Sequence, residues 1–335
     1  MGSPETATIR SIARGYAFAD DRRAWVELTV TLFVFFGSLG VGLANLGQWV
    51  VTGLTVVTAA AAGLRIYMIQ HDCLHGSFFS SRRVNDWIGS LISPVAMTPY
   101  RATQYIHNLH HTHVSDLDRR DTFEIQVMTK REYLDAGPWQ RVFYRMYRSP
   151  VTLVLLGPFI FFTLVRRVPL YGFRVGLWDM ILHNLLLAAM IFAFWVLGGW
   201  PGVLLWLATV YLATTFGSLI PYVVHNFETI HWGTKPELDF ETAALEGSAV
   251  LDWGPVFDLV TLNIGYHDLH HLNARIPGYR LKDAHRDLEA RGLLTSNRIG
   301  FIDGIACLRW KLYDETAGRM ITFNEAEKTR LAPAE

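Results

Sequence analysis

Hydrophobic and polar positions divide this chain into two long charge-free blocks and a polar remainder. From Leu28 to Leu64 there is no Asp, Glu, Lys or Arg, a block that exceeds one membrane span of about 20 residues and nearly makes two. Asn45-Leu46-Gly47-Gln48 supplies a turn, so the block predicts a transmembrane hairpin with spans at about 28–46 and 48–68. Its second helix is predicted to run on past Arg65, which sets His71 roughly 10 Å beyond the apolar edge at 1.5 Å per residue. Met180 to Phe227 is the second charge-free block. With Gly198-Gly199-Trp200-Pro201 as its turn, it predicts spans at about 180–198 and 201–222.

Two shorter apolar runs behave differently. Val84 to Tyr100 lies between Arg82, Arg83 and Arg101, and Ser149 to Val165 lies between Arg145 and Arg148 on one side and Arg166, Arg167 and Arg174 on the other. Basic side chains favour the cytoplasmic face, so both runs read as interfacial segments that do not cross. Both candidate outer turns lack Lys and Arg. The pattern therefore predicts an all-α membrane protein forming one domain over 1–335. It has four transmembrane helices in two hairpins, interfacial helices, and a cytoplasmic helical cap from about 70–178 and 223–335. The last ten residues read as loose.

Composition narrows this picture. Hydrophobic residues are 51% and mean hydropathy is +0.21, high for a soluble globule. Thirty basic residues balance thirty acidic ones, which gives no electrostatic case for nucleic acid. Cys73 and Cys307 are too few and too far apart for a disulfide framework or a thiolate cluster. Any bound metal must use nitrogen or oxygen ligands. No small-residue cleavage site follows a short apolar core, so no removable signal peptide is read.

The candidate chemistry is histidine. His107-Asn108-Leu109-His110-His111 puts three imidazoles at i, i+3 and i+4, which share a face if the stretch is helical. His267-Asp268-Leu269-His270-His271 repeats that spacing, and His71-Asp72-Cys73-Leu74-His75 adds an i, i+4 pair. Each alone carries little weight. Together they give eight histidines that the charge pattern had already placed on one side of the membrane. Imidazole suits Fe, Zn, Cu or Ni, and eight or nine rings are too many for one ion, so a two-metal centre is implied. A soluble-type carboxylate di-iron bundle needs two Glu-x-x-His motifs; this chain has one, at Glu228 and His231. Haem would need paired histidines deep within spans, where only His183 falls, and His183 reads as a polar helix-end residue. A metal transporter predicts ionisable residues at mid-span, and the two hairpins carry none.

These segments resemble the three histidine boxes of the integral-membrane fatty acid desaturase family. Ser115-Asp116-Leu117-Asp118-Arg119-Arg120, Asn263-Ile264-Gly265-Tyr266-His267 and His271-Leu272-Asn273-Ala274-Arg275-Ile276-Pro277-Gly278-Tyr279 resemble its bacterial acyl-lipid members, and the likeness covers about Gln70 to Leu281. The resemblance implies two iron ions held by His71, His75, His107, His110, His111, His267, His270, His271 and a ninth histidine after the last span. His225 is the position that looks similar, and Pro221 could unwind the helix end to turn it inward; His231 is its rival. Asp268 departs from similar bacterial sequences, where a further histidine is common. Ligating histidines commonly donate their second ring N–H to a carboxylate or carbonyl, and Asp72, Asp116, Asp118, Asn263 and Asp268 are the candidates by proximity. His113 reads as polar surface or as a supporting residue, and His285 as surface.

The implied activity is O₂-dependent desaturation of an acyl chain, lipid-linked or otherwise, reached from the bilayer through an apolar tunnel. Lipid hydroxylation or ketone formation at a similar site is the alternative. No cytochrome b5-like His-Pro-Gly-Gly segment occurs, so electrons are expected from a separate donor such as ferredoxin. The expected location is a bacterial inner membrane, with the active site facing the cytoplasm.

Overall fold

The computed structural model describes residues 4–122, 125–168 and 172–331. Helices dominate. Asp20 caps Asp21–Ala44 by accepting from Arg23 N at 3.1 Å, and a four-residue turn leads into Trp49–His75, against which it packs. The Arg65 guanidinium meets Glu27 at 2.5 Å, fastening the pair beyond the charge-free block. As expected, the second helix continues past Arg65 and carries the first histidine pair in its last turn. It stops at Gly76, whose φ of 65° is the left-handed conformation that glycine adopts at low cost.

The second block is helical from Leu177 to Val224. The run is not straight, because Gly199 has φ 58° and ψ −150°. A methyl group on Gly202 would run into Phe194 O, eight residues away and about 12 Å distant along a continuous helix. The chain therefore folds sharply where Gly198-Gly199-Trp200-Pro201 was read as a turn. Leu43 and Leu46 of the first pair lie against Gly198 at that fold. Three described helices, Asp21–Ala44, Trp49–His75 and Leu177–Val224, are long and apolar enough to cross a membrane. A fourth arises if Pro138–Tyr147 and Val151–Arg167, bent by 52° at their junction, are counted as one span.

Between these lie the segments that aim the site. Arg82–Leu91 and Ser93–Ala96 lead through Pro99 into Tyr100–Thr112, the helix of the second box. Tyr100 is wholly buried, and its ring lies where a Cβ on Gly89 would sit. Its hydroxyl donates to Cys73 O at 2.7 Å. One tyrosine thus ties the start of the second box helix to the end of the first. Gln70 adds to this by donating to Gly89 O and Thr98 O and accepting from the Thr98 hydroxyl.

The expectation of an all-α chain is corrected by two small sheets. Met128–Thr129 pairs in parallel with Leu312–Asp314, which pairs antiparallel with Arg319–Ile321. Val250–Asp252 pairs in parallel with Arg298–Gly300. Strands of two or three residues are too short to show the two-residue alternation that marks a strand, and the two parallel pairs join segments distant in sequence, which only the tertiary fold brings together. The C-terminal end is also more ordered than read: Phe323–Leu331 is helical and Ala326 is buried, while 332–335 lie outside the described residues.

Gly89→Ala is expected to cost about 1–3 kcal/mol by overpacking against the Tyr100 ring, lowering the Tm of the detergent-solubilised protein by several degrees. Gly53→Ala, mid-helix with no atom near its would-be Cβ, should leave Tm unchanged or raised. Equal Tm values for the two variants would contradict the packing described.

Candidate metal centre

Each histidine reaches the site from a helix end. His71 and His75 occupy the last turns of Trp49–His75, and His107, His110 and His111 those of Tyr100–Thr112. His225 caps Leu177–Val224, and His267, His270 and His271 lie on the short, fully buried helix His267–Leu272. Helix ends suit this task because they can be brought together without the helices themselves crossing through one point.

The rings meet in two groups. His71, His75, His107, His111 and His270 form one, and His110, His225, His267 and His271 the other; within each, the facing nitrogens all lie within 4.8 Å of one another. His111 and His271 stack at 4.3 Å between ring centroids and join the groups. Nε2 atoms approach closely: His75 to His107 at 3.0 Å, His107 to His111 at 3.0 Å, His110 to His225 at 3.2 Å, and His267 to His271 at 3.1 Å. Two nitrogens bound side by side to one ion at about 2.1 Å are about 3 Å apart, so the spacing fits metal ligation.

The electrostatics agree. Burial holds the rings of His107, His110, His111, His267, His270 and His271 well below the ordinary imidazole range, and their mutual repulsion adds to this. Burial brings His225 down to about 4, against a bond to Gly247 O that works the other way. These seven rings are therefore neutral at pH 7. His225 Nδ1 donates to Gly247 O at 2.9 Å and His267 Nδ1 to Ile264 O at 3.3 Å. A neutral ring with its proton on Nδ1 has a bare lone pair on Nε2. Lone pairs facing each other at 3 Å repel, and a cation between them removes the repulsion.

The acidic and amide side chains near the boxes have other partners. Asp72 Oδ2 accepts from Gly278 N at 2.6 Å, and Asn263, at φ 62°, donates to Gly278 O at 2.8 Å. Together they clamp the segment after the third box to the first box; Asp72 Oδ1 lies 3.7 Å from His71 Nδ1. Asp268 accepts from Leu269 N, the Ser296 hydroxyl and His285. Asp116 accepts from Asp118 N at 3.0 Å and faces His113 at 3.5 Å and Lys235 at 3.7 Å.

His231 is outside both groups, half-exposed and 4.0 Å from Glu246. His113 lies beside Arg119 and Asp116. His183 is buried against Ser93 and Arg167. The surface reading of His285 is wrong: it is wholly buried, 3.4 Å from Asp268 and 3.0 Å from Ser296 Oγ. A signal for this was present, because His285 falls four residues after Leu281 and three before Leu288 on the buried face of Gly278–Ala290.

A cavity of about 220 Å³ borders the rings of His71, His107, His110, His225 and His267. Its walls are largely apolar, including Ile106, Leu153, Phe161 and Ile220, and it also reaches Tyr222, Asn226, Arg148 and Arg166. In the sequence both arginines stand as basic flanks of the apolar run Ser149 to Val165. A smaller void between the long helices shares Tyr67 and Gly217 with it.

A sequence profile described as "Fatty acid desaturase" matches residues 47–296. The chain belongs to that family. A fatty acid desaturase of Bacillus subtilis (strain 168) is 31% identical over 92% of this chain and 88% of its own length. The sn-1 oleoyl-lipid 12-desaturase of a Synechocystis strain is 26% identical over 80% of this chain and 76% of its own. The chloroplastic omega-6 fatty acid desaturase of Spinacia oleracea is 25% identical over 85% of this chain, which spans 64% of that longer protein. This desaturase is thus an oxidoreductase of acyl chains, with histidine clusters fit to hold metal and apolar helices fit for a membrane.

In this desaturase His225→Ala should lower bound metal at least tenfold, whereas His231→Ala should retain it, by mass spectrometry of the purified protein; far-ultraviolet dichroism should be unchanged in both. Replacing His285 with Ala leaves buried Asp268 short of a partner and should cost about 1–3 kcal/mol, read as a lower Tm.

Proposed function

We propose that the two histidine groups hold a pair of iron ions, His71, His75, His107, His111 and His270 around one and His110, His225, His267 and His271 around the other. The observation that carries this reading is the convergence of nine imidazoles, in two groups of facing nitrogens, beside an apolar cavity. Iron bound there supplies the capacity to use O₂ and two electrons to take hydrogen from unactivated carbon. The balanced change is –CH₂–CH₂– plus O₂, two electrons and two protons, giving –CH=CH– and two waters.

The chain's own residues position and exclude. Ile106, Leu153, Phe161 and Ile220 pack an acyl segment beside the rings and keep water out, and Gly247 O and Ile264 O fix the tautomers of His225 and His267. Asp72 and Asn263 hold the third box against the first through Gly278, Asp268 fixes the third-box helix from behind, and Asp116 with Asp118 shapes the turn after the second.

The folded run Leu177–Val224 supplies the third and fourth spans in this reading. With Asp21–Ala44 and Trp49–His75 it makes two hairpins, with both termini and the metal centre on the cytoplasmic side of a bacterial inner membrane. The substrate is a lipid-linked acyl chain, for which the likeness to the sn-1 oleoyl-lipid 12-desaturase of Synechocystis is the support, and electrons come from a separate donor such as a ferredoxin. Hydroxylation is the competing outcome at the same centre.

Expression in a host lacking the activity, with gas chromatography and mass spectrometry of its lipids, tests this. A new double bond is expected, abolished by His110→Ala, together with two irons per chain in the purified protein. A new hydroxyl or keto group would replace desaturation by the competing reading, and full activity of His110→Ala would end the ligand assignment.

A further inference from the structure

The cavity beside the rings is apolar along most of its wall, yet one part is strongly cationic. Arg148 lines it and is fully buried. Its Nη1 donates to Gln126 O at 3.2 Å, and its Nη2 donates to Asn226 Oδ1 at 2.6 Å and Trp310 O at 3.2 Å, while the Tyr222 ring lies 5.3 Å from the guanidinium carbon. Every one of these partners is neutral, and Nε–H is buried with no partner. Several arginines of this chain meet carboxylates, as Arg65 does Glu27 and Arg120 does Glu132, whereas Arg148, like Arg167, has neutral partners. Among the described residues no carboxylate pairs with Arg148.

A second cation deepens the imbalance. Lys311 is buried and donates to Arg148 O; burial, with repulsion from Arg148, brings its ammonium down to about 8, which still leaves it charged at pH 7. Bringing an ion from water into a protein interior costs several kcal/mol unless an opposite charge meets it. A structural tie between segments uses Nη1 and Nη2 and, among the described residues, leaves the charge without a carboxylate and Nε–H without a partner. The rest of the cavity is shaped for hydrocarbon, and at Gly217 and Tyr67 it adjoins the void between the long helices. An apolar slot bordered by a buried guanidinium that meets no carboxylate among the described residues is the complement of an amphiphile with an anionic end.

We propose that Arg148 seats an anionic oxygen group, so that the acyl substrate lies with its carboxylate or phosphate at Arg148 and its hydrocarbon past the histidine rings towards Gly217. This rests on reading the cavity as the acyl site. It also fixes the direction in which the chain lies, with the reacting carbons counted from the anionic end.

Binding to the metal-stripped full-length chain in detergent separates this from turnover. The probes are radiolabelled stearate, octadecanol and 1-stearoyl-lysophosphatidate, measured by scintillation proximity. Wild type should bind at least one anion tenfold or more tighter than octadecanol; a preference for stearate identifies a free carboxylate, and one for lysophosphatidate a lipid phosphate. Arg148→Gln should erase that preference while octadecanol affinity stays within about twofold, which also reports an intact cavity. Equal affinity of wild type for all three, or an undiminished preference in Arg148→Gln, overturns the proposal. Should Arg148→Gln bind none of the three, Arg148→Lys decides, a retained preference supporting the seat and a lost one refuting it. Failure of wild type to bind any probe removes the cavity reading itself, and this inference with it, without touching the family assignment or the histidine groups.

Discussion

Eight imidazole nitrogens brought to within 3.0–3.2 Å of their neighbours, where burial disfavours their protonation, are the constraint on which this structure depends. A neutral ring with its proton held on Nδ1, as in His225 and His267, presents the Nε2 lone pair to its neighbour, and a shared cation turns such an arrangement from repulsive to attractive. Protonation, the ordinary escape for crowded histidines, is closed by desolvation. The cap therefore has to hold the rings in place against their own repulsion whenever metal is not yet bound.

The surrounding structure shows how this is done. Tyr100 and Gln70 fix the first box helix to the second before either reaches the centre, using backbone carbonyls as anchor points. Asp72 and Asn263 grip the two sides of the Gly278 peptide region, and a Cβ at Gly278 would strike Leu262 O, so close approach here requires glycine. Behind the third box, Asp268, His285 and Ser296 form a buried polar cluster that ties a helix of only six residues to the longer Gly278–Ala290. A helix that short has little stability of its own; its order comes from these contacts.

The cavity reaches both halves of the centre, His71 and His107 of the first group and His110, His225 and His267 of the second. Hydrocarbon lying in it would pass beside both groups. Arg148, at the cavity's polar end, is joined to the centre through Asn226, the residue next to His225.

Much of this was written along the chain. Charge-free blocks specify long apolar helices because an uncompensated charge in hydrocarbon is costly, and the i, i+3, i+4 spacing of His107, His110 and His111 and of His267, His270 and His271 specifies shared faces because helical geometry is local. What spacing could not determine is anything set by contacts between distant segments. The choice of His225 over His231 for the cluster depends on how Leu177–Val224 ends against residue 247. The burial of His285 depends on which face of its helix meets the third box. The small sheets join segments such as Met128 and Leu312, and the cationic end of the cavity appears only when Arg148, which the chain presents as one more basic flank, is folded away from water among neutral partners. Local periodicity fixes which side chains share an element; only long-range packing decides what each of them faces.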